Sequence, residues 1–503
     1  MEFHAKNSDA LVELALAAKE QGKVQRAEAL FLQALQQDSH NPDILKNLGM
    51  VMLDTGRYQN AVEYLQKSIS IQPDDAKVHN GLGIAFQNIN FLEESENAYK
   101  TAIQLNPDYE AAYSNLVSVL ERRNRMEEAR QYVDQAKALF PGGILITLNE
   151  AIVLKREGRL EEAVQLLKTE KYPQDPMTRL KVKHELGLMY DRLDNVDKAF
   201  EQFRDFNACA SEVFGISRQR KAPYLNKIER FREVFTPEWV SSWKRQNSEK
   251  PVRNMACLMG FMRSGTTLLQ HILNAHPAIY ASEEIHAFPI VEEEIRKTFD
   301  AYPECMADFG GEQIEHFRQR YFEIHRGDRN WQEAGLFVDK YPMLTNMAGL
   351  VHRLFPEEKF IFIKRHPCDC ILSAYMQLFV PNEASVHFYN LDDTVNLYTG
   401  IMDLWEVYEN TLPLNVHYVR YEDIIEDFES SVRGVLDFLD VPWDDAVLDY
   451  DQKVRRSSDV ISPSYEQVSE KIYKHARYRW VRYRPYLEPY LERLKPYAER
   501  FGY

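Results

Sequence analysis

The sequence predicts two architectures in one chain: an N-terminal helical superhelix followed by a C-terminal α/β domain on a parallel sheet. Three observations predict this. Small residues recur every 34 positions at Ala27, Ala61, Ser95, Ala129 and Ala163. Glycine is scarce, 20 of 503 residues, about 4 % against an average of roughly 7 %, as suits a helix-rich chain. From residue 254 onward, short apolar runs alternate with helical segments, the pattern of a parallel sheet covered by helices.

The helical half is read first. Pro73, Pro107 and Pro141 share the 34-residue spacing, as do Leu48-Gly49 and Leu82-Gly83. A small residue at fixed register lets two antiparallel helices approach closely. The proline marks the turn into the next repeat, because it cannot continue a helix. This spacing resembles the tetratricopeptide repeat. Five repeats cover 8–177, and a degenerate sixth starts near 180 with Leu186-Gly187 and Ala199, after a two-residue slip near Pro173. The array is therefore assigned to 1–213. Such arrays form concave superhelices that bind peptides or protein surfaces.

Residues 214–250 read as a helical linker and 251–503 as the α/β domain. Within it Asn254–Gly260, Leu336–Val338, Lys359–Ile363 and Val416–Val419 are expected as strands. Thr266–His276, Pro367–Phe379 and Phe428–Leu439 are expected as helices, and 290–335 as a mostly helical insertion. In the tail, Tyr486, Leu487, Tyr490, Leu491 and Leu494 form the packed stripe of a terminal helix, with Arg479-Trp480 closing the end of the domain.

Composition excludes several classes. Hydrophobic residues are 45 % and charged residues 27 %, so a sizeable core is expected and general disorder is not. The formal charge of −16 opposes bulk attraction to nucleic acid or anionic lipid. The five cysteines are scattered apart from Cys368 and Cys370, which points away from a disulfide framework and toward a reducing compartment. No Cys/His set stands at zinc spacing. The chain shows neither an apolar leader nor an 18-residue apolar run. A cytoplasmic address is the expectation.

The chemistry is carried by two segments. Gly260-Phe261-Met262-Arg263-Ser264-Gly265-Thr266-Thr267 follows a strand and opens a helix, in the layout G-x-x-x-x-G-x-[ST]. Backbone N–H groups in such a loop, with a helix N-terminus behind, bind anions. The lysine that reaches the β/γ-phosphates of ATP is replaced by Thr266, and the cation sits at Arg263 instead. The loop suits a 5′-phosphate group that is not a metal-chelated triphosphate. The second segment, Lys359–Pro367, is a strand ending in a basic cluster, with Ser373 eight residues after Arg365. Arg365 and Ser373 are placed to grip one further phosphate. Two grips on one domain suggest a nucleotide phosphorylated at two places.

RSGTTLL (263–269), NAHPAI (274–279) and FIKRHPCDCILSAY (362–375) resemble the 5′-phosphosulfate and 3′-phosphate motifs of sulfotransferases. With the repeats, the chain resembles bacterial sulfotransferases that carry tetratricopeptide repeats. Its catalytic half is similar to protein-tyrosine sulfotransferases over about 250–480.

The resemblance implies a P-loop-like sulfotransferase fold and 3′-phosphoadenosine 5′-phosphosulfate (PAPS) as co-substrate, released as 3′,5′-diphosphoadenosine, with no metal. It implies that Arg263, Ser264, Gly265, Thr266 and Thr267 hold the 5′-phosphosulfate. Arg365 and Ser373 would hold the 3′-phosphate. Tyr421 matches a tyrosine near the nucleotide, and reads equally as a half-buried tyrosine at a strand end.

The acceptor hydroxyl must lose a proton as it attacks sulfur, and a positioned carboxylate can take it. The family's base falls on Glu284, with Glu283 its neighbour and His286 a chemically plausible rival. Lys340 and Ser464 match residues that act on the bridging oxygen, and Arg263 completes that group. Two arginines that help the tyrosine-sulfating enzymes bind acidic peptides are replaced here by His286 and Ile290.

The implied reaction moves a sulfuryl group from PAPS to a hydroxyl, a protein tyrosine. The repeats would bind the acceptor or a partner protein, or mediate self-association. A glycan or small-alcohol acceptor, a P-loop kinase and a non-catalytic scaffold are the alternatives.

Overall fold

The computed structural model describes residues 2–168, 173, 175–244, 254–326, 335–452 and 477–503, and side chains from residue 8 onward. The chain divides into two compact units, one of Met1–Leu193 and one beginning at Asp194.

The first unit is a row of antiparallel helix pairs, such as Pro42–Asp54 with Tyr58–Ile71 and Ala76–Asn88 with Leu92–Leu105. The periodic small residues are where helices touch: Ala27, Ala61, Ser95, Ala129 and Ala163 are fully buried. Ser95 Oγ donates to the Gly83 carbonyl at 2.7 Å.

A second 34-residue rhythm lies in the backbone. Gly22, Gly56, Asn90, Asn124 and Gly158 all have positive φ, and Asp194 follows 36 residues later. The first five each end the first helix of a pair, and Asp194 follows the helix Pro176–Arg192, in the left-handed conformation that glycine and asparagine tolerate best. The N–H just beyond reaches back to a helix carbonyl, as in Arg57 to Met52 (2.8 Å), Phe91 to Phe86 (2.9 Å) and Arg125 to Leu120 (2.8 Å). The step from 34 to 36 is the two-residue slip seen as the offset between Ala163 and Ala199. Asn41 and Asp75 cap the N-termini of Pro42–Asp54 and Ala76–Asn88 with their side chains.

The second unit is built on a five-stranded parallel sheet: β1 (Met255–Gly260), β2 (Ile279–Ala281), β3 (Leu336–Lys340), β4 (Lys359–Lys364) and β5 (Asn415–Arg420). The order is β2-β3-β1-β4-β5. The register pairs Leu258 with Lys340 and with Ile361, and Lys364 with Arg420. β1 is buried along its whole length, as a central strand covered on both faces must be.

The four expected strands are present, each one or two residues different in extent. β2 was not expected, because three residues are too short to show a pattern. The helix expected over Pro367–Phe379 ends at Tyr375, whose carbonyl accepts instead from Asn207 Nδ2 at 2.9 Å.

The helix Val196–Val213, which contains Ala199, falls in this second unit. So do Arg218–Val234 and Pro237–Ser241. They pack firmly there: Phe235 stands edge-on to Tyr408 at 4.8 Å, and Lys227 pairs with Glu292 at 2.5 Å. The terminal helix Arg484–Arg500 buries Leu487 and Leu494, with Tyr486, Tyr490 and Leu491 half-buried. Among the described residues, no helix is long and apolar enough to cross a membrane.

Candidate active site

The site lies beyond the carboxyl ends of the strands. All five strands deliver something there: the phosphate loop after β1, Ser282–Glu284 after β2, Lys340 at the end of β3, Arg365 after β4 and Tyr421 after β5. The strand order reverses direction at β1, and ligands of open α/β sheets bind at such a switch point.

The loop turns tightly. Gly265 has φ +109° and immediately precedes the helix Thr266–Ala275; a Cβ there would lie 2.5 Å from the Tyr421 ring. A Cβ on Gly260 would lie 2.7 Å from the Ile363 carbonyl. Arg263 also has positive φ, 69°, a conformation that costs a side-chain-bearing residue energy and recurs at binding sites. Ser264 is fully buried, and its Oγ has no hydrogen-bond partner among the described residues. Thr266 and Thr267 are buried in the first turn of the helix.

The two expected phosphate grips meet. Arg263 Nε donates to Ser373 Oγ at 3.1 Å, and Arg365 Nη1 donates to the Arg263 carbonyl at 2.7 Å. The Arg365 guanidinium sits 4.5 Å from the centre of the Tyr421 ring, and the same ring packs close to Gly265. Tyr421 is thus buried against both the loop and Arg365.

Burial, then the charges of Arg365 and Arg479, pull the Arg263 guanidinium down to about 10, while Tyr421 and Glu284 oppose the shift. It remains cationic at neutral pH. Like charges brought together in a partly dry cleft repel, and an anion bound among them relieves that repulsion. This crowding, the partnerless Ser264 Oγ and the glycine-lined turn fit a phosphorylated ligand.

The rim is closed from the tail. Trp480 stacks on His366 at 4.6 Å with the planes 13° apart, and its backbone N–H donates to Asp369 Oδ1 at 2.8 Å. Asp369 is buried and held up at about 6 by that burial, against the pull of Arg365.

Lys340 and Glu284 form the other centre. Lys340 is fully buried, and its Nζ donates to Glu284 Oε1 at 2.9 Å; the Glu284 side chain is 41 % exposed. Glu283 is half-buried, and burial pushes its carboxyl up against the pull of Lys340. Of the two adjacent acids, Glu284 is the one hydrogen-bonded to the lysine. His286 packs against Tyr341 with ring centres 4.9 Å apart. Ser464 lies outside the described residues.

The supports of this pair were missed from sequence. Ser282 N–H donates to the Val338 carbonyl (2.8 Å), and its Oγ accepts from the Lys340 N–H (3.2 Å). Asp339 is buried and accepts from Tyr321 Oη at 2.7 Å. Burial raises its carboxyl to about 7. Gln270 Nε2 donates to the Ser282 carbonyl (2.9 Å). Asn274 brackets Ala281 with two bonds of 2.7 and 2.8 Å. The loop helix therefore holds the segment that presents Glu284. The only signal in the sequence was polar residues at 270 and 274 on one helix face.

Residues 256–445 match the sulfotransferase family, and 4–83 and 80–144 match tetratricopeptide repeat families. An uncharacterized protein of Aquifex aeolicus is 29 % identical over 341 residues, covering 66 % of this chain and 43 % of its own. Protein-tyrosine sulfotransferase A of Caenorhabditis elegans is 25 % identical, covering 48 % of this chain and 66 % of its own. Protein-tyrosine sulfotransferase of Drosophila melanogaster is 24 % identical, covering 44 % and 46 %. The chain thus spans from under half to about two thirds of the length of these relatives.

Proposed function

From a chain that joins tetratricopeptide repeats to a sulfotransferase-family domain, we propose that it transfers a sulfuryl group from PAPS to the hydroxyl of a protein tyrosine. The repeats would bind the acceptor protein or a partner. The observation that carries this reading is the meeting of the loop arginine with the second motif: Arg263 on Ser373, and Arg365 on the Arg263 backbone.

In this reading the loop N–H groups, Ser264, Thr266 and Thr267 hold the 5′-phosphosulfate, and Arg365 and Ser373 hold the 3′-phosphate. Tyr421 fixes the direction of Arg365. The acceptor oxygen attacks sulfur in line. The new S–O bond forms as the S–O bond to the 5′-phosphate breaks, and the electron pair leaves on the phosphate oxygen of 3′,5′-diphosphoadenosine. The acceptor proton passes to Glu284. Lys340, Arg263 and Ser464 donate to the departing oxygen, where negative charge grows. Donors fixed before the reaction stabilise that charge without reorganising.

The test is direct. The protein is incubated with ³⁵S-labelled PAPS and a tyrosine-containing protein acceptor, and binding of 3′,5′-diphosphoadenosine is measured by calorimetry. Label on tyrosine and binding without added metal support the reading. Preference for Mg-ATP over 3′,5′-diphosphoadenosine would overturn it.

A further inference from the structure

The two sides of the site differ in charge. Toward the phosphate loop the arginines 263, 365 and 479 converge. Beyond Lys340 the surroundings are aromatic and acidic. Tyr341 follows Lys340 and packs on His286. Asn346, on the next turn, donates to Tyr224 Oη at 2.5 Å. Tyr224 lies 6.3 Å from the ring of His387, on the loop that carries Glu383. Tyr341 feels the charges of Glu284, Glu292 and Glu383, and Tyr224 feels the last two.

Among the described residues, the lysines on this side are already matched. Lys340 pairs with Glu284 at 2.9 Å, Lys227 with Glu292 at 2.5 Å and Lys221 with Asp393 at 2.5 Å. Glu383 is exposed and forms no ion pair among the described residues. Ile290, 39 % exposed, adds no charge where the resemblance places an arginine. Asn346 is only 3 % exposed, and its Oδ1 accepts no hydrogen bond among the described residues. Among the described residues, acidic and acceptor groups are therefore in surplus on this side, and cationic donors are not.

Resting on the sulfotransferase reading above, we propose that the acceptor is a tyrosyl peptide with lysine or arginine beside the tyrosine, its cation against Glu383 and its phenol at Glu284. A cation there gains from the carboxylate and from the nearby ring of Tyr341. An acidic neighbour would meet the like charge of Glu383, which penalises that peptide most at low ionic strength. The polyanionic donor at the loop biases selection the same way.

Transfer from labelled PAPS is measured to three peptides with one tyrosine, flanked by lysine, alanine or glutamate. The lysine peptide should exceed the glutamate peptide about tenfold in kcat/KM, through KM, with the gap shrinking at high salt. Glu383→Lys should narrow the gap, and Ile290→Arg should improve the glutamate peptide. Equal rates, or the reverse order, would overturn the proposal. Transfer to a glycan or small alcohol and to none of the peptides would overturn it while leaving the donor reading intact. Failure to bind 3′,5′-diphosphoadenosine, measured on the same sample, would overturn the donor reading itself.

Discussion

The ammonium of Lys340 lies 2.9 Å from Oε1 of Glu284, a buried cation holding a carboxylate that reaches toward solvent. While that bond stands, a lone pair of Glu284 is engaged. In the proposed reaction, an anion bound beside Lys340 would compete for its protons and release Glu284 to act as a base. The pair would then make the base available when the donor is in place.

If Glu284 takes the acceptor proton, Glu284→Gln removes the base and keeps the shape. The expected loss in kcat is about 10²–10⁴-fold, with calorimetric affinity for 3′,5′-diphosphoadenosine retained. Lys340→Met should also lose turnover, by about 10²–10³-fold, as expected when a donor to developing charge is removed. Normal turnover in Glu284→Gln would transfer the base role elsewhere, with His286 the nearest rival.

Ser373 touches Arg263 and is assigned to the 3′-phosphate, so its removal should discriminate between nucleotides. Ser373→Ala is expected to weaken 3′,5′-diphosphoadenosine by about 1.5–3 kcal/mol, the range for a hydrogen bond to a charged group. Adenosine 5′-phosphosulfate, which lacks the 3′-phosphate, should lose much less. Titration of both nucleotides into both proteins checks this, and equal losses would detach Ser373 from the 3′-phosphate.

Much of this was legible in the sequence, for physical reasons that differ by residue. Ala61 and Ala129 betrayed the array because close helix contact admits only a small side chain at fixed register. Gly260, Gly265 and Arg263 were legible because a loop that wraps an anion needs special backbone angles and a cation. Ser282 and Asp339 were not legible, since their partners, Lys340 N–H and Tyr321 Oη, come from strand pairing and a distant helix. The direct contact of Arg263 with Ser373 was hidden for the same reason: 110 residues separate them. The helix Arg218–Val234 read as a connector because its sequence shows charge, while its buried stripe of Ile228, Phe231 and Val234 is narrow.

Gly265 offers a test of the loop that spares the core. Its φ of +109° disfavours any side chain, and an added Cβ would meet the Tyr421 ring at 2.5 Å. Gly265→Ala should therefore displace Tyr421 and with it the Arg365 guanidinium. Nucleotide affinity is expected to fall at least about tenfold, with circular dichroism unchanged. A full-affinity Gly265→Ala protein would show that this close packing is not needed for binding.

Asp339 predicts a pH dependence of stability with a definite sign. Its carboxyl sits near 7 in the folded protein because burial disfavours the charge, against 3.8 for the free side chain. Below about pH 4 both folded and unfolded forms are protonated, and the group contributes no pH dependence. Between about 4 and 7 the unfolded chain releases its proton while the folded one keeps it, so stability falls as pH rises. Above about 7 both forms are ionised and the effect is complete. At 1.36 kcal/mol per unit, the loss is of order 4 kcal/mol at most. Asp339→Asn cannot ionise, and it retains an oxygen to accept from Tyr321. Its urea midpoint should therefore vary less between pH 4 and 7 than that of the parent protein. The two curves should converge at low pH, where the parent carboxyl is also neutral. Parallel curves across the whole range would show that Asp339 is ionised in the folded state at every pH tested, with Tyr321 and Ser282 holding its charge.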